Sequence, residues 1–164
     1  MEQKMTYEYK WVATARKYIG EIEVHGPKHN PLILQMWRDI KRGGIKDDET
    51  PWCAAFVGSV LEQSGIQSTR FESARSYLEW GNKLQEPAYG CIAVLTRDGG
   101  GHVGFVVGQN EAGDLMILGG NQSDAVNIKA FSRQRVASYR WPRVLSPVPQ
   151  PLPVLSGGHS TSEA

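Results

Sequence analysis

Apolar residues recur at helical spacing in the first half of the chain and in short continuous runs in the second. Tyr7, Trp11, Ala15, Tyr18 and Ile19 share one face of a helix predicted over 7–19, with Gly20 as its stop. The polar stretch EIEVHGPKHN, 21–30, reads as an irregular loop. Asn30 is a good N-cap and Pro31 a good first residue for a second helix, whose apolar face is Leu32, Ile33, Met36, Trp37 and Ile40. Gly43 and Gly44 end it. After the polar connection IKDDET, Thr50 and Pro51 read the same way for a third helix, from Pro51 to about Ser64. A shorter helix is expected over 73–80.

Beyond residue 90 the pattern changes. CIAVLT, HVGFVVGQ, LMILG, AVNIKAF and ASYRW are β-rich runs, and RDGGG, NEAGD and NQSD supply turn chemistry between them. Helices first and strands afterwards predict an α+β domain, with N-terminal helices packed on an antiparallel sheet. Four prolines lie between 147 and 153, followed by Gly and Ser, so an extended, largely disordered tail is expected over 144–164. One domain over 1–143 remains.

Composition narrows the function classes. The chain has 164 residues, with 18 Lys and Arg against 17 Asp and Glu, a formal charge of +1. Phosphate backbones are bound by clustered cations, so nucleic acid is not an expected partner. No stretch has the roughly 18–20 apolar residues of a membrane span, so no membrane insertion is expected. MEQKMTYEYKWVATARKYIG lacks the apolar centre of a signal peptide, and synthesis in the cytoplasm is expected. Two cysteines, Cys53 and Cys91, make no disulfide scaffold. Neither CxxC nor HExxH occurs, so no metal and no cofactor is predicted.

Three residues change this picture. Cys53 either serves as a small buried hydrophobe or acts as a nucleophile. At the third position of a helix its thiolate would be favoured by open N–H groups and the helix dipole. His102 opens an apolar strand after three glycines. Alone it reads as a hydrogen-bonded strand-end histidine; beside a thiol it is a base. Asn121 follows the next strand in LGGNQSD, either as a turn residue or as the group that fixes an imidazole ring. Each has a plain structural explanation, but together they place a nucleophile on a helix and a base with its orienter on a sheet.

PWCAAFV, GGHVGFVVG and GGNQSDAVNI, with HNPLI and PAYGCIAVL, resemble a phage-associated family within the CHAP group, the cysteine, histidine-dependent amidohydrolases/peptidases. The resemblance runs from about Trp11 to Pro142. It implies a papain-like fold and cleavage of an amide bond in bacterial peptidoglycan, with Cys53 as nucleophile, His102 as base and Asn121 as third member. Two positions depart from the family pattern. Gly119 stands where many relatives carry an acidic residue, so Asn121 is expected to orient His102 without a carboxylate there. Cys91 stands where many have Asp, and reads as a buried strand residue. Trp52, Gly101 and Gln122 are candidate substrate contacts. Glu23, His25, His29 and Asn30 either line a cleft or form a solvated loop; Asp47 and Asp48 read as a solvated turn, and Asp124 as turn or substrate contact. Tyr77 and Trp80 are expected in the core.

The resemblance points to an endolysin-like enzyme acting at the cell wall and released through a holin lesion or by a secretion system. The alternatives are a papain-like deamidase or toxin effector acting on another amide, and a non-catalytic wall-binding module.

Overall fold

A computed structural model describes residues 8–48, 50–97, 100–145 and 152–156. The helices are α1 (Lys10–Arg16), α2 (Pro31–Asp39) and α3 (Cys53–Gln63), followed by a 3₁₀ helix at Ala74–Glu79. The strands are β1 (Asn82–Leu84), β2 (Ile92–Arg97), β3 (Gly100–Gln109), β4 (Leu115–Gly119), β5 (Asn127–Phe131) and β6 (Val136–Trp141). They form one antiparallel sheet in the order β1-β6-β2-β3-β4-β5.

The central helix is α3. Every residue from Cys53 to Leu61 is buried, because α1 and α2 cover one side and β3 and β4 the other. A helix apolar all round has no place except the interior. Gly58 permits the approach of α2, since a Cβ there would lie 2.4 Å from Ile40 Cγ2. The sheet centre is equally dry, with Val103, Phe105, Val106, Ile117 and Leu118 fully buried. Phe56 of α3 meets Phe105 of β3 edge to face at 6.3 Å, which seats the helix on the sheet. Among the described residues, no helix is long and apolar enough to cross a membrane.

Several elements differ from expectation. The first helix is shorter than 7–19: beyond Arg16 the N–H groups of Tyr18 and Ile19 turn to the carbonyls three residues back, which tightens the chain out of the α form. Tyr7 lies outside the described residues. Asn30 caps α2 as expected, its Oδ1 accepting from Leu32 N–H at 2.9 Å. Thr50 does not cap α3; its N–H and Oγ1 donate to Asp47 Oδ1 at 2.7 and 2.9 Å. The helix therefore begins two residues later than predicted, and Cys53 is its first residue rather than its third.

Within the predicted 144–164 tail, residues 152–156 lie against the sheet. Gln109 N–H donates to Pro153 O at 2.9 Å and Leu155 N–H to Gln109 O at 2.7 Å, so 152–156 pairs with the end of β3. Leu152 and Leu155 pack on the core, which the proline count concealed. Residues 146–151 and 157–164 of the predicted tail lie outside the described residues.

Candidate active site

The thiol stands at the start of α3, 7% exposed. The preceding residue, Trp52, provides no side-chain cap. Its indole is fully buried, and Nε1–H donates to Glu23 Oε1 at 2.8 Å. A buried indole with a satisfied donor is an anchor for the helix start, so Trp52 offers no face to a substrate, contrary to the sequence expectation.

The histidine sits two residues into β3, opposite Leu95 of β2. It is 1% exposed, with its ring stacked on Phe131 of β5 at 5.5 Å. Its Nε2 lies 3.0 Å from Gln122 Oε1. One partner of the ring is therefore the residue after the expected Asn121. Asn121 is itself buried, in the left-handed conformation at φ 59°.

Gln122 is fully buried and enclosed by polar partners. Its Nε2 donates to Ile117 O at 3.2 Å, Asn127 O at 2.9 Å and Asn127 Oδ1 at 2.8 Å. An amide with all its atoms engaged in the interior is not available to substrate, so the expected role of Gln122 as a substrate contact is replaced by an internal one. Gly119 makes the contact possible: a Cβ there would lie 2.3 Å from Gln122 Oε1 and 3.3 Å from His102 Nε2. Gly120 brings the same turn onto the helix, since its Cβ would lie 2.7 Å from Phe56 Cβ and 2.8 Å from the Trp52 ring. The 119–122 turn thus touches the His102 ring, Trp52 just before the thiol and Phe56 one turn after it.

Backbone conformation shapes this turn. Asn121, Ser123 and Asp124 all have positive φ, 59°, 55° and 62°. Asn and Asp tolerate that region; Ser does so at a cost on the order of 1 kcal/mol. The loop after α1 holds the turn in place, with Glu23 N–H donating to Asp124 O at 2.9 Å and Val126 N–H to Glu21 O at 2.9 Å.

The loop at 21–30 is exposed from Val24 to Lys28 but is anchored by two buried residues, Glu23 and Asn30. Glu23 is buried beneath Trp52. Burial raises its pKa, the Trp52 hydrogen bond partly offsets this, and the carboxylates of Asp124 and Asp48 push it further up. Asp48, read as part of a solvated turn, is fully buried. It accepts from Val24 N–H at 2.7 Å and Asn30 N–H at 2.8 Å, and His29 Nδ1 lies 3.1 Å away. Burial alone would raise its pKa, but these contacts outweigh it and hold the carboxyl below its ordinary range. The signal for Asp48 was absent locally because its partners lie about twenty residues upstream.

Glu23, His25 and Asp124 bring ligand atoms within 4.8 Å of one another. Those side chains would be the residues to hold a cation, although Glu23 already accepts from Trp52. Gly101 is half-buried beside His102, and a Cβ there would lie 3.2 Å from Leu95 O. Cys91 is fully buried in an apolar setting that pushes its thiol up to about 12, which leaves it unreactive. Phe131, which sequence reasoning missed, carries no motif; only the sheet brings it under His102. Tyr77 is buried as expected, and Trp80 is half-buried with Nε1–H on Gln67 O.

Residues 45–121, just under half of the chain, match the family model of the CHAP domain. The matched segment contains Cys53, His102 and Asn121 and stops one residue short of Gln122. No curated protein matches the chain. Together with that match, the helices on a six-stranded antiparallel sheet constitute an α+β papain-like fold.

Proposed function

We propose that this protein is a peptidoglycan hydrolase that cleaves an amide bond by a thiol mechanism, with Cys53 as nucleophile and His102 as base. The observation that carries the reading is the 119–122 turn, which packs on the first turn of α3 and holds the His102 ring. The CHAP match across both residues supports the substrate class.

His102 takes the thiol proton of Cys53, and the thiolate attacks the amide carbonyl carbon. The Cys53 N–H, at the open start of α3, donates to the oxyanion that forms. Collapse of this intermediate breaks the C–N bond, and His102 returns the proton to the leaving amine. Water, deprotonated by His102, then attacks the thioester; the C–S bond breaks, releasing a carboxylic acid and the free thiol. Gly101, the residue before His102, packs against Leu95 O and the side chains of Arg75 and Ala74. An endolysin role at the cell wall, with release through a holin lesion or a secretion system, is the finer part of this reading.

The test is mass spectrometry of purified peptidoglycan after incubation with wild type and with Cys53→Ala. New fragments from wild type alone are expected, and their masses name the bond. Intact peptidoglycan with folded, reduced wild-type protein would overturn the reading.

A further inference from the structure

We propose that Gln122 is a positioning residue that orients the His102 ring and selects its tautomer. This inference rests on the reading of His102 as the base. It begins with which end of the amide faces the ring, an assignment made from the surrounding hydrogen bonds. One end of the Gln122 amide meets three oxygens, Ile117 O at 3.2 Å, Asn127 O at 2.9 Å and Asn127 Oδ1 at 2.8 Å. Only an NH₂ group suits three acceptors. The Asn127 amide is fixed in turn, because its Nδ2 donates to Gln122 O at 2.8 Å. Rotating the Gln122 amide would set its carbonyl oxygen against three others in a fully buried site. The atom facing His102 is therefore Oε1, an acceptor only.

An acceptor 3.0 Å from His102 Nε2 requires a proton on that nitrogen. In the neutral imidazole the lone pair then lies on Nδ1, and Nδ1 is the atom that takes the Cys53 proton. Phe131, stacked beneath the ring, holds its plane, while Gln122 fixes its rotation within that plane. The absence of a side chain at Gly119 is part of the device. A Cβ at 119 would lie 2.3 Å from Gln122 Oε1, so a side chain there and the Gln122 contact exclude each other. Gln122 thus occupies the space that a side chain at 119 would fill.

The test reads ring nitrogens as well as turnover, on the full chain labelled with ¹⁵N-histidine. Long-range ¹H–¹⁵N correlation spectra should show neutral His102 as the Nε2–H tautomer in wild type. Gln122→Ala should mix the tautomers and lower kcat by about a hundredfold, with KM for peptidoglycan fragments within about twofold. Should Gln122→Ala fail to fold, Gly119→Ala displaces Oε1 while keeping the glutamine, and should produce the same mixing. Asn121→Gly keeps the left-handed backbone and should leave the Nε2–H tautomer dominant. An Nδ1–H tautomer in wild type would overturn the inference, as would tautomer mixing in Asn121→Gly but not in the Gln122 and Gly119 variants. A wild type that shows the expected tautomer but cleaves no peptidoglycan supports the positioning and refutes the hydrolase reading instead.

Discussion

Two fully buried polar side chains, Asp48 ahead of α3 and Gln122 in the turn that packs on its first residues, work differently. Asp48 is a charge that gathers backbone N–H groups from the 24–30 loop. Gln122 is a neutral amide that links one strand end and one turn to an imidazole. Both satisfy the requirement that buried polar groups find partners. The charged anchor ties stability to pH, because its carboxylate must stay ionised to hold the loop. The neutral anchor holds the imidazole without adding a charge beside it.

Removing each anchor should separate the two roles. The largest effect on stability is expected from Asp48→Ala, which leaves the Val24 and Asn30 N–H groups without their acceptor in the interior. The cost should be about 2–4 kcal/mol by urea denaturation. Gln122→Ala, by contrast, should show its main loss in kcat. A matching stability loss for Gln122→Ala with unchanged kcat would erase the distinction.

Acid should sharpen the same contrast. Because the Asp48 pKa is lowered on folding, the unfolded chain takes up that proton at higher pH than the folded one. Its contribution to stability is present above the unfolded value and is lost as pH falls through the lowered folded value. Asp48→Asn should flatten the acid limb of stability against pH, measured by thermal unfolding. Glu23 has the opposite sign: its raised pKa contributes stability below its unfolded value, lost as pH rises through the folded one. Glu23→Gln keeps an acceptor for the Trp52 indole, so it should raise the unfolding midpoint at neutral pH and leave it nearly unchanged in acid.

The glycines of the turn divide in a similar way. Gly120→Ala drives a Cβ into Phe56 and Trp52, and overpacking of that kind should cost about 1–3 kcal/mol. Gly119→Ala should instead strike activity, since its nearest obstacle is the Gln122 amide. The smallest effect is expected at Cys91, whose thiol should resist iodoacetamide in the native protein at pH 8 while Cys53 is alkylated; mapping the labelled peptides decides it.

Much of this was legible in the chain. The order of Cys53, His102 and Asn121 marks the candidate site, and the change from helical spacing to strand runs near residue 90 predicts the layers. Thr50-Pro51 has the composition of a cap, but Asp47 holds the Thr50 N–H and hydroxyl, so α3 begins two residues later. The burial of Glu23 and Asp48 is not legible locally, because Glu23 accepts from the Trp52 indole and Asp48 from the Val24 and Asn30 N–H groups, all distant in sequence. The Gln122–His102 contact carries no signal of its own in the sequence, because Asn121 beside it is an equally buried amide in the same turn. The clue on the page was Gly119, an empty position that something else had to fill. In β1, NKL is too short to show any period.

The decisive experiment is intact-mass analysis of the protein after rapid acid quenching during turnover of peptidoglycan fragments. A thiol mechanism predicts a wall-fragment adduct as a thioester on Cys53, absent from Cys53→Ala. Release of the same fragments by Cys53→Ala, with no adduct on the wild-type thiol, would contradict it.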